Sequence, residues 1–208
     1  MTVAIIGGGK VGTALARRLV LAGESVRFGA RTPTAAVEIE GVSVPSMASA
    51  EAASGASVIL LCVPATAAAH AVRFAALPDG AIVVDCTNPV QWDNGPVLAA
   101  PTGWGSVAQA LAEAFPTLHV VKGFNHFGAE IQADPAMSGG PADAWFAGDD
   151  ASAKATVLAL ATRMGFRAVD AGPLRNAGLL ESAAVLWIHL ATVGGQGRQF
   201  ALRADHRP

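Results

Sequence analysis

The chain has 208 residues, of which 52% are hydrophobic and 14% charged, with a formal net charge of −2 at pH 7. This composition excludes a disordered chain, and the absence of a basic run argues against nucleic acid as a partner. The length suits a single domain with a full hydrophobic core.

The cysteine count and the start of the chain bear on the cellular compartment. Cys62 and Cys86 are too few for a disulfide framework, so a reducing compartment is expected. The first residues lack the basic segment of a signal peptide, and no apolar run reaches the ~18 residues that span a bilayer. We therefore expect a soluble, cytoplasmic protein without a membrane partner.

A glycine-rich turn joins the first predicted strand to the first predicted helix. Gly7, Gly9 and Gly12 fit the spacing G-x-G-x-x-G, with Lys10 and Val11 inside the motif. The first glycine permits the tight turn, the second lets a pyrophosphate approach the backbone, and the third lets the helix pack on the strand. Free N–H groups at the helix start attract phosphate. The stretch 7–12 predicts a dinucleotide site.

The next informative position follows the second predicted strand, residues 25–30. NAD-dependent folds place an acidic residue about 20 residues beyond the glycine motif, where it accepts hydrogen bonds from the adenosine ribose. Arg31 stands there instead, with Thr32 beside it. A guanidinium pairs with the 2′-phosphate of NADP, whereas a carboxylate would repel that phosphate. The pattern predicts NADP(H) rather than NAD(H).

Strands and helices alternate along the rest of the chain with short turns. Alternation of this kind predicts an α/β fold of the Rossmann type, a doubly wound and mostly parallel sheet of about eight strands. One domain should cover residues 1–208, with a C-terminal helical extension from about residue 150. The predicted strands are 2–6, 25–30, 42–44, 57–64, 81–86, 118–127 with its exit, 144–148 and 166–174 with its turn. The predicted helices are 10–22, 48–53, 65–76, 107–115, 151–164 and 177–192, with Ser46, Ser106 and Asp149 or Asp150 as N-caps.

Ligands of such sheets lie beyond the carboxyl ends of the strands. Three loops should therefore line one crevice: 7–12, 63–66 with Val63 and Pro64, and 87–90 with Asn88. Cys62 and Cys86 hold equivalent positions on neighbouring predicted strands. Two small core residues are the interpretation favoured here, and a redox pair is the alternative.

Two further segments could serve the site. Residues 91–105, with Trp92 and Trp104, read as one long loop, and loops of this length are often functional lids. His126 stands beyond the sixth strand, where it is either a proton carrier or an imidazole held by hydrogen bonds or facing solvent. The sequence leaves both interpretations open.

The last predicted helix, 177–192, is apolar on more than one face. Such a helix is buried against the sheet or in a subunit interface, so a homodimer is expected. A glycine-rich segment at 194–197 ends the helix. The charged tail beyond it is expected to be frayed.

Several short motifs occur together and in order along nearly the whole chain. They are the glycine motif, Gly29-Ala30-Arg31, Leu61-Cys62-Val63-Pro64, Val121-Lys122-Gly123-Phe124-Asn125 and Asp170-Ala171-Gly172-Pro173-Leu174. This set resembles the NADP oxidoreductase, coenzyme F420-dependent family. It is also similar to the NADPH-binding domain of the STEAP metalloreductases.

The resemblance implies NADP(H) on the glycine loop, with its 2′-phosphate held by Arg31 and Thr32. It implies a nicotinamide pocket near Val63 and Pro64 and near Asn125 and His126, with a flavin-like acceptor over the nicotinamide. The glycine loop is one residue shorter than in the namesake enzymes, and Asn125-His126 replaces their His-Thr. The acceptor is therefore left open between coenzyme F420, FMN and FAD.

Three functions are compatible with these features. The leading hypothesis is an NADPH-dependent oxidoreductase that passes hydride to a flavin or deazaflavin, chemistry that needs alignment more than acid–base help. The second is a reductase of a small carbonyl, imine or metal chelate, with His126 as the acid. The third is a non-enzymatic NADP(H) sensor. The absence of tyrosine excludes the tyrosine–lysine catalysis of short-chain dehydrogenases, and no metal site is expected.

Overall fold

A computed structural model describes residues 1–99, 105–205 and 207. The architecture is a twisted eight-stranded sheet with helices on both faces. Its strands, in spatial order along the sheet, are β12 (Arg167–Asp170), β11 (Asp143–Gly148), β10 (His119–Lys122), β7 (Ile82–Asp85), β6 (Val58–Leu61), β1 (Thr2–Ile6), β2 (Ser25–Ala30) and β5 (Ser46–Ala48). All neighbours are parallel except β10 and β11, which confirms a Rossmann-type, mostly parallel sheet.

Alternation along the strands divides the core between the two faces of the sheet. In β1, Val3 and Ile5 enter the core on one face, and Ala4 and Ile6 enter the core on the other. Residues buried on both faces form the continuous apolar runs that the sequence shows. The helices are α1 (Lys10–Leu21), α2 (Ser49–Ala53), α3 (Ala68–Ala75), α4 (Val107–Ala114), α5 (Ala129–Ala133), α6 (Ala151–Arg163) and α7 (Ala177–Thr192), with 3-10 turns at Ala65–Ala67 and Leu174–Asn176.

The third predicted strand, residues 42–44, does not belong to the eight-stranded sheet. Residues 42–44 do form a strand, β4 (Val42–Val44), but it pairs with β3 (Val37–Ile39) in a separate hairpin. The turn between them, Glu40 and Gly41, has positive φ at both residues, as a two-residue hairpin turn requires. Residues 46–48 join the sheet instead, beside β2. Ser46 therefore lies in a strand, and α2 begins without a side-chain cap.

The predicted loop at 91–105 is partly a second hairpin. It consists of β8 (Val90–Trp92) and β9 (Pro96–Leu98), and Asn94 and Gly95 in its turn have positive φ. The Trp92 side chain is 63% exposed. Trp104 lies outside the described residues. The prediction missed the hairpin because its strands have only three residues each, too short for a clear alternation.

Helix ends follow their capping residues. Ser106 Oγ accepts a hydrogen bond from Gln109 N (3.1 Å) at the start of α4, and Asp150 Oδ1 accepts one from Ala153 N (2.7 Å) at the start of α6. The bounds of α7 match the prediction at both ends. The tail beyond α7 is not frayed through residue 204, because Phe200 stacks on Trp187 and Ala204 N donates to Asp143 Oδ2. Among the described residues, no helix is long and apolar enough to cross a membrane.

A buried ion cluster joins α7 to the sheet. Lys122 Nζ, fully buried at the end of β10, donates to Asp85 Oδ2 and to Glu181 Oε1, each at 2.9 Å, and to Thr87 O. Burial by itself lowers the pKa of Lys122, but the carboxylates of Asp85 and Glu181 more than offset it, so its pKa is raised. Glu181 Oε1 also accepts from Val107 N, the first residue of α4. The cluster thus ties two strands and two helices at one point.

Replacing Lys122 with methionine should strongly destabilise the fold, because two carboxylates would remain buried without a counter-ion. We expect the free energy of unfolding to fall by about 3–5 kcal/mol in urea denaturation. Lys154→Met is the matched control, since the Lys154 ammonium pairs with the half-exposed Asp170 and a pair of that kind contributes about 0–1 kcal/mol. Equal losses in the two variants would contradict the prediction.

Candidate functional site

The glycine turn between β1 and α1 is held in a space with no room for side chains. Gly7 has φ of +112°, and a Cβ built on it would lie 2.4 Å from the carbonyl oxygen of Cys62. A Cβ on Gly12 would lie 2.0 Å from the carbonyl oxygen of Gly7. These two glycines are therefore required by the fold itself, since each Cβ would overlap a backbone atom.

Gly9 is different, because the protein around it leaves open space. It is the N-cap residue of α1, with φ of −77°, and a Cβ on it would meet no described atom within 4 Å. Its neighbours Lys10 and Val11 begin the helix, and no side chain caps their N–H groups. An open space at uncapped helical N–H groups fits the pyrophosphate of a dinucleotide.

The structure brings the turn, the end of β2 and the exit of β6 to one cavity of about 390 Å³. Predicted site residues Gly7, Arg31, Val63 and Pro64 line it together. A cavity of this size suits part of a dinucleotide. Its other lining residues are Ile6, Gly8, Gly29, Ala30, Ser49, Ala67, His70, Ala71 and Phe74.

Arg31 and Thr32 lie exposed beyond the end of β2. Within the described part of the chain, the Arg31 guanidinium forms no hydrogen bond or ion pair, and no carboxylate lines the cavity that it faces. An unpaired guanidinium beside a dinucleotide cavity suits a 2′-phosphate. Thr32 is not among the residues lining the cavity.

Sequence reasoning missed the far wall of this cavity. His70 and Phe74 stand one turn apart on α3, with ring centroids 6.4 Å apart and planes inclined by 22°. Phe74 is 48% exposed although it is aromatic. Rings at the mouth of such a cavity can stack on a base. The sequence signal for this wall was the i, i+4 spacing of His70 and Phe74. That spacing occurs on every face of a helix and does not by itself indicate a binding site.

A second cavity, of about 710 Å³, lies on the other side of the glycine turn. Lys10 lines it with Thr13 and Arg17 on α1, and so do Glu40 and Glu130. Hydrogen bonding to Arg198 and the nearby Lys10 hold the pKa of Glu130 below its usual value, against the effect of burial. The turn thus lies between two cavities: Gly7 lines the first, Gly9 and Lys10 line the second, and Gly8 lines both.

Asn88 and Asn125 bind each other rather than line the first cavity. Asn88 Nδ2 donates to Asn125 O at 2.7 Å, and Asn125 Nδ2 donates to Asn88 Oδ1 at 2.8 Å and to Leu180 O at 3.0 Å. These bonds join the exits of β7 and β10 to α7. Within the described residues, Asn125 Oδ1 is buried without a partner. Both residues hold the loops at the carboxyl ends of the strands.

His126 does not reach the crevice, so we correct its assignment as a catalytic acid. Its side chain is fully buried, stacked on Trp145 with centroids 4.4 Å apart, and Nε2 hydrogen-bonds Asp143 O at 3.2 Å. Burial lowers the pKa of His126 to about 4, although Asp143 opposes the change. The strand exit turns at Phe124, which has φ of +55°, and His126 follows into the aromatic core. A buried neutral imidazole is a packing residue.

Known proteins resemble the chain in sequence. A family model described as NADP oxidoreductase coenzyme F420-dependent matches residues 2–89. The F420-dependent NADP reductase of Methanothermobacter marburgensis is 32% identical, and the alignment covers all of both chains. Metalloreductase STEAP3 of Rattus norvegicus is 34% identical over 86% of this chain, which spans 36% of that longer protein.

Solved structures share the architecture. A crystal structure from Arthrobacter sp. FB24, provisionally named an F420-dependent NADP reductase, superposes with a TM-score of 0.82 at 28% identity. The match covers 97% of this chain and 99% of that one. A reductive aminase from Aspergillus terreus superposes with a TM-score of 0.61 at 20% identity, a likeness of fold alone.

Substitution by alanine should affect Gly9 and Gly12 differently. Gly9→Ala should cost less than about 1 kcal/mol of stability, because its φ suits alanine and its Cβ meets open space. It should nevertheless weaken NADPH binding by about tenfold or more, a loss of about 1.4 kcal/mol of phosphate contact. Fluorescence titration and urea denaturation measure the two effects.

Gly12→Ala is the matched control for Gly9→Ala. Its Cβ overlaps backbone, so we expect a loss of about 1–3 kcal/mol or more in the free energy of unfolding. If Gly9→Ala bound NADPH as tightly as the unmodified protein, the open space at Gly9 would not be the phosphate site.

His126 should make stability pH-dependent. Its pKa is near 6.5 in the unfolded chain and about 4 in the folded protein. The unfolded state therefore binds the proton first as the pH falls. We expect the contribution of His126 to stability to be complete above pH 7 and to decline by about 3 kcal/mol towards pH 4. Between pH 7 and pH 4, the free energy of unfolding should fall by about 3 kcal/mol more in the unmodified protein than in His126→Phe. Equal pH dependence in the two proteins would contradict the prediction.

Proposed function

Because the chain belongs to the NADP oxidoreductase, coenzyme F420-dependent family, we propose that it transfers hydride between NADP(H) and a flavin or deazaflavin. Oxidation and reduction with NADP(H) is the activity of the family. The nature of the acceptor is the part that we propose. The observation that carries the proposal is the open space over Gly9 in a chain whose full length matches an F420-dependent NADP reductase.

The residues around the glycine turn have defined tasks in this proposal. The first N–H groups of α1, at Lys10 and Val11, would hold the pyrophosphate. Arg31 would pair with the 2′-phosphate, and the aromatic rings of His70 and Phe74 would cover the adenine on the opposite wall. When bound, NADPH supplies the hydride. Val63 and Pro64 give the first cavity an apolar wall that limits the access of water to the bound cofactor.

Among the residues that line the first cavity, the titratable ones are Arg31 and His70, and this proposal places both at the adenosine end, away from the nicotinamide. His126 is buried in the core, and Lys122 is held in its ion cluster, so neither can serve a bound acceptor. Hydride transfer to a flavin or deazaflavin needs the two rings to be aligned and little proton transfer from the protein. A small carbonyl or imine would need an acid, and the geometry therefore favours the ring acceptors.

A second candidate acceptor is a metal chelate. It is favoured by the 34% identity to a metalloreductase over 86% of this chain. Reduction of a ferric chelate takes one electron, whereas hydride carries two, so a flavin between the two would be needed. A ferric chelate reduced only when FMN or FAD is present would support this candidate.

Stopped-flow oxidation of NADPH tests the acceptor. Coenzyme F420, FMN, FAD and a ferric chelate are offered separately to the protein, and absorbance at the NADPH band is followed. We expect single-turnover oxidation with one of the ring acceptors and none with the ferric chelate alone. The proposal fails if NADPH binds but none of the ring acceptors is reduced.

Arg31→Asp should remove the preference for NADPH. Losing a charge-assisted pair costs about 1.5–3 kcal/mol, so we expect NADPH affinity to fall by about 10- to 100-fold while NADH affinity changes little. Arg175→Asp makes the same charge change at an exposed arginine remote from the cavity lining, and it should leave both affinities unchanged. An unchanged ratio of the two affinities in Arg31→Asp would refute the assignment.

The homodimer expected from the sequence stays a prediction. Leu179, Leu186 and Val193 on and just beyond α7 are each more than half exposed, and Trp92 on the neighbouring hairpin is too. A second copy of the chain would cover these apolar side chains.

A further inference from the structure

Two thiols meet beside the glycine turn. Leu61 on β6 pairs with Asp85 on β7, so the next residues along the strands, Cys62 and Cys86, stand opposite each other. Cys86 N donates to Leu61 O at 3.2 Å, which continues the pairing up to the cysteines. Both side chains point to the face of the sheet that carries Leu60 and Val84. The two cysteines therefore share one register position and one face.

The spacing of neighbouring strands suits a bond between these thiols. Paired strands lie about 4.8 Å apart, and the Cα atoms of a disulfide lie about 4.4–6.8 Å apart. Cys86 Sγ donates to Val84 O at 3.7 Å, and the Cys62 side chain beside it contributes to the raised pKa of the Cys86 thiol. Neither sulfur is bonded to another cysteine in this structure. The thiols are therefore placed to be bridged with a small backbone adjustment.

The two thiols differ in exposure, and this difference sets the order of their reactions. Cys86 is 6% exposed, whereas Cys62 is only partly buried. Burial, together with the adjacent Cys62, raises the pKa of Cys86 well above its usual value. Cys86 is therefore protonated at neutral pH, and Cys62 is the thiol that a dissolved oxidant reaches first.

We propose that Cys62 and Cys86 are a site of reversible oxidation, which a hydroperoxide converts into an intramolecular disulfide that weakens NADP(H) binding. Cys62 attacks the peroxide and becomes a sulfenic acid, and the peroxide is reduced to an alcohol or to water. The sulfur of Cys86 then attacks the sulfenic sulfur. The S–S bond forms as the S–OH bond breaks, and the hydroxyl leaves with the Cys86 proton as water.

The effect on binding follows from where Cys62 sits, and this part rests on the proposed function. The Cys62 carbonyl is the atom that a Cβ on Gly7 would strike at 2.4 Å, and Cys62 N donates to Ile6 O at 2.8 Å. Val63 and Pro64, the next two residues, line the cofactor cavity. Drawing Cys62 towards Cys86 must therefore shift the turn and the cavity wall together, since close-packed backbone has no slack.

The test uses the intact protein, hydrogen peroxide and trypsin. Arg73 lies between the two cysteines, so trypsin releases them on separate peptides that stay joined only by a disulfide. We expect peroxide to produce the linked pair of peptides, with a mass about 2 Da below their sum for the two hydrogens lost. Dithiothreitol should separate them, and NADP⁺ bound over the cavity should slow the oxidation.

Single-cysteine variants provide the controls. In Cys86→Ala, Cys62 should proceed to sulfinic acid because no second thiol traps it; in Cys62→Ser, the Cys86 thiol should persist under the same peroxide treatment. Loss of both thiols from the unmodified protein without a linked peptide, or survival of both, would overturn the disulfide.

NADPH titration of the same samples separates this inference from the proposed function. We expect oxidised protein to bind NADPH about tenfold more weakly than reduced protein, with recovery after dithiothreitol. If the linked peptides form and the affinity is unchanged, the coupling to the cavity is wrong. If reduced protein does not bind NADPH at all, the proposed function is wrong. The disulfide would still be established by the mass of the linked peptides.

Discussion

The close packing of the glycine turn is the constraint on which the site depends. At the end of β1, Gly7 packs against the carbonyl oxygen of Cys62. In the first turn of α1, Gly12 packs against the carbonyl oxygen of Gly7. Because no Cβ fits at either place, the start of α1 is brought to the carboxyl ends of the central strands. The uncapped N–H groups of Lys10 and Val11 then face the open space at Gly9. A steric requirement thus produces the uncapped helix start on which the proposed phosphate site depends.

A second constraint positions the carboxyl ends of β7 and β10, in the other half of the sheet. Lys122 sits at the end of β10 between the carboxylates of Asp85 and Glu181, all of them nearly inaccessible to water. An ammonium in such a place is stable only while both partners remain, so β7, β10 and α7 cannot separate without a large electrostatic cost. The Asn88–Asn125 pair beside it extends the same connection. These polar contacts hold the loops over the strand ends rather than offering groups for catalysis.

Much of the fold could be predicted because its signals are local. Apolar runs gave the central strands, and capping side chains gave the starts of α4 and α6. A long apolar stretch followed by a glycine-rich segment gave the bounds of α7. The errors fell where the signal was too short or came from distant residues. Three-residue strands such as β5 and β8 carry no readable period, and the choice between β4 and β5 as a member of the sheet depends on which one reaches β2. The tail is ordered by contacts with Trp187 and Asp143, and the sequence of the tail itself does not predict these contacts.

By itself, the sequence determined the dinucleotide turn, the family and the basic residue that faces the cavity, because each of these depends on residue type at fixed spacing along the chain. Only the tertiary structure decided which polar residues reach the site. It moved His126 into the aromatic core, placed Lys122 in an ion cluster and added His70 and Phe74 to the cavity wall. The direction of a side chain after a strand ends depends on how the chain turns and what packs against it, and those are properties of distant contacts.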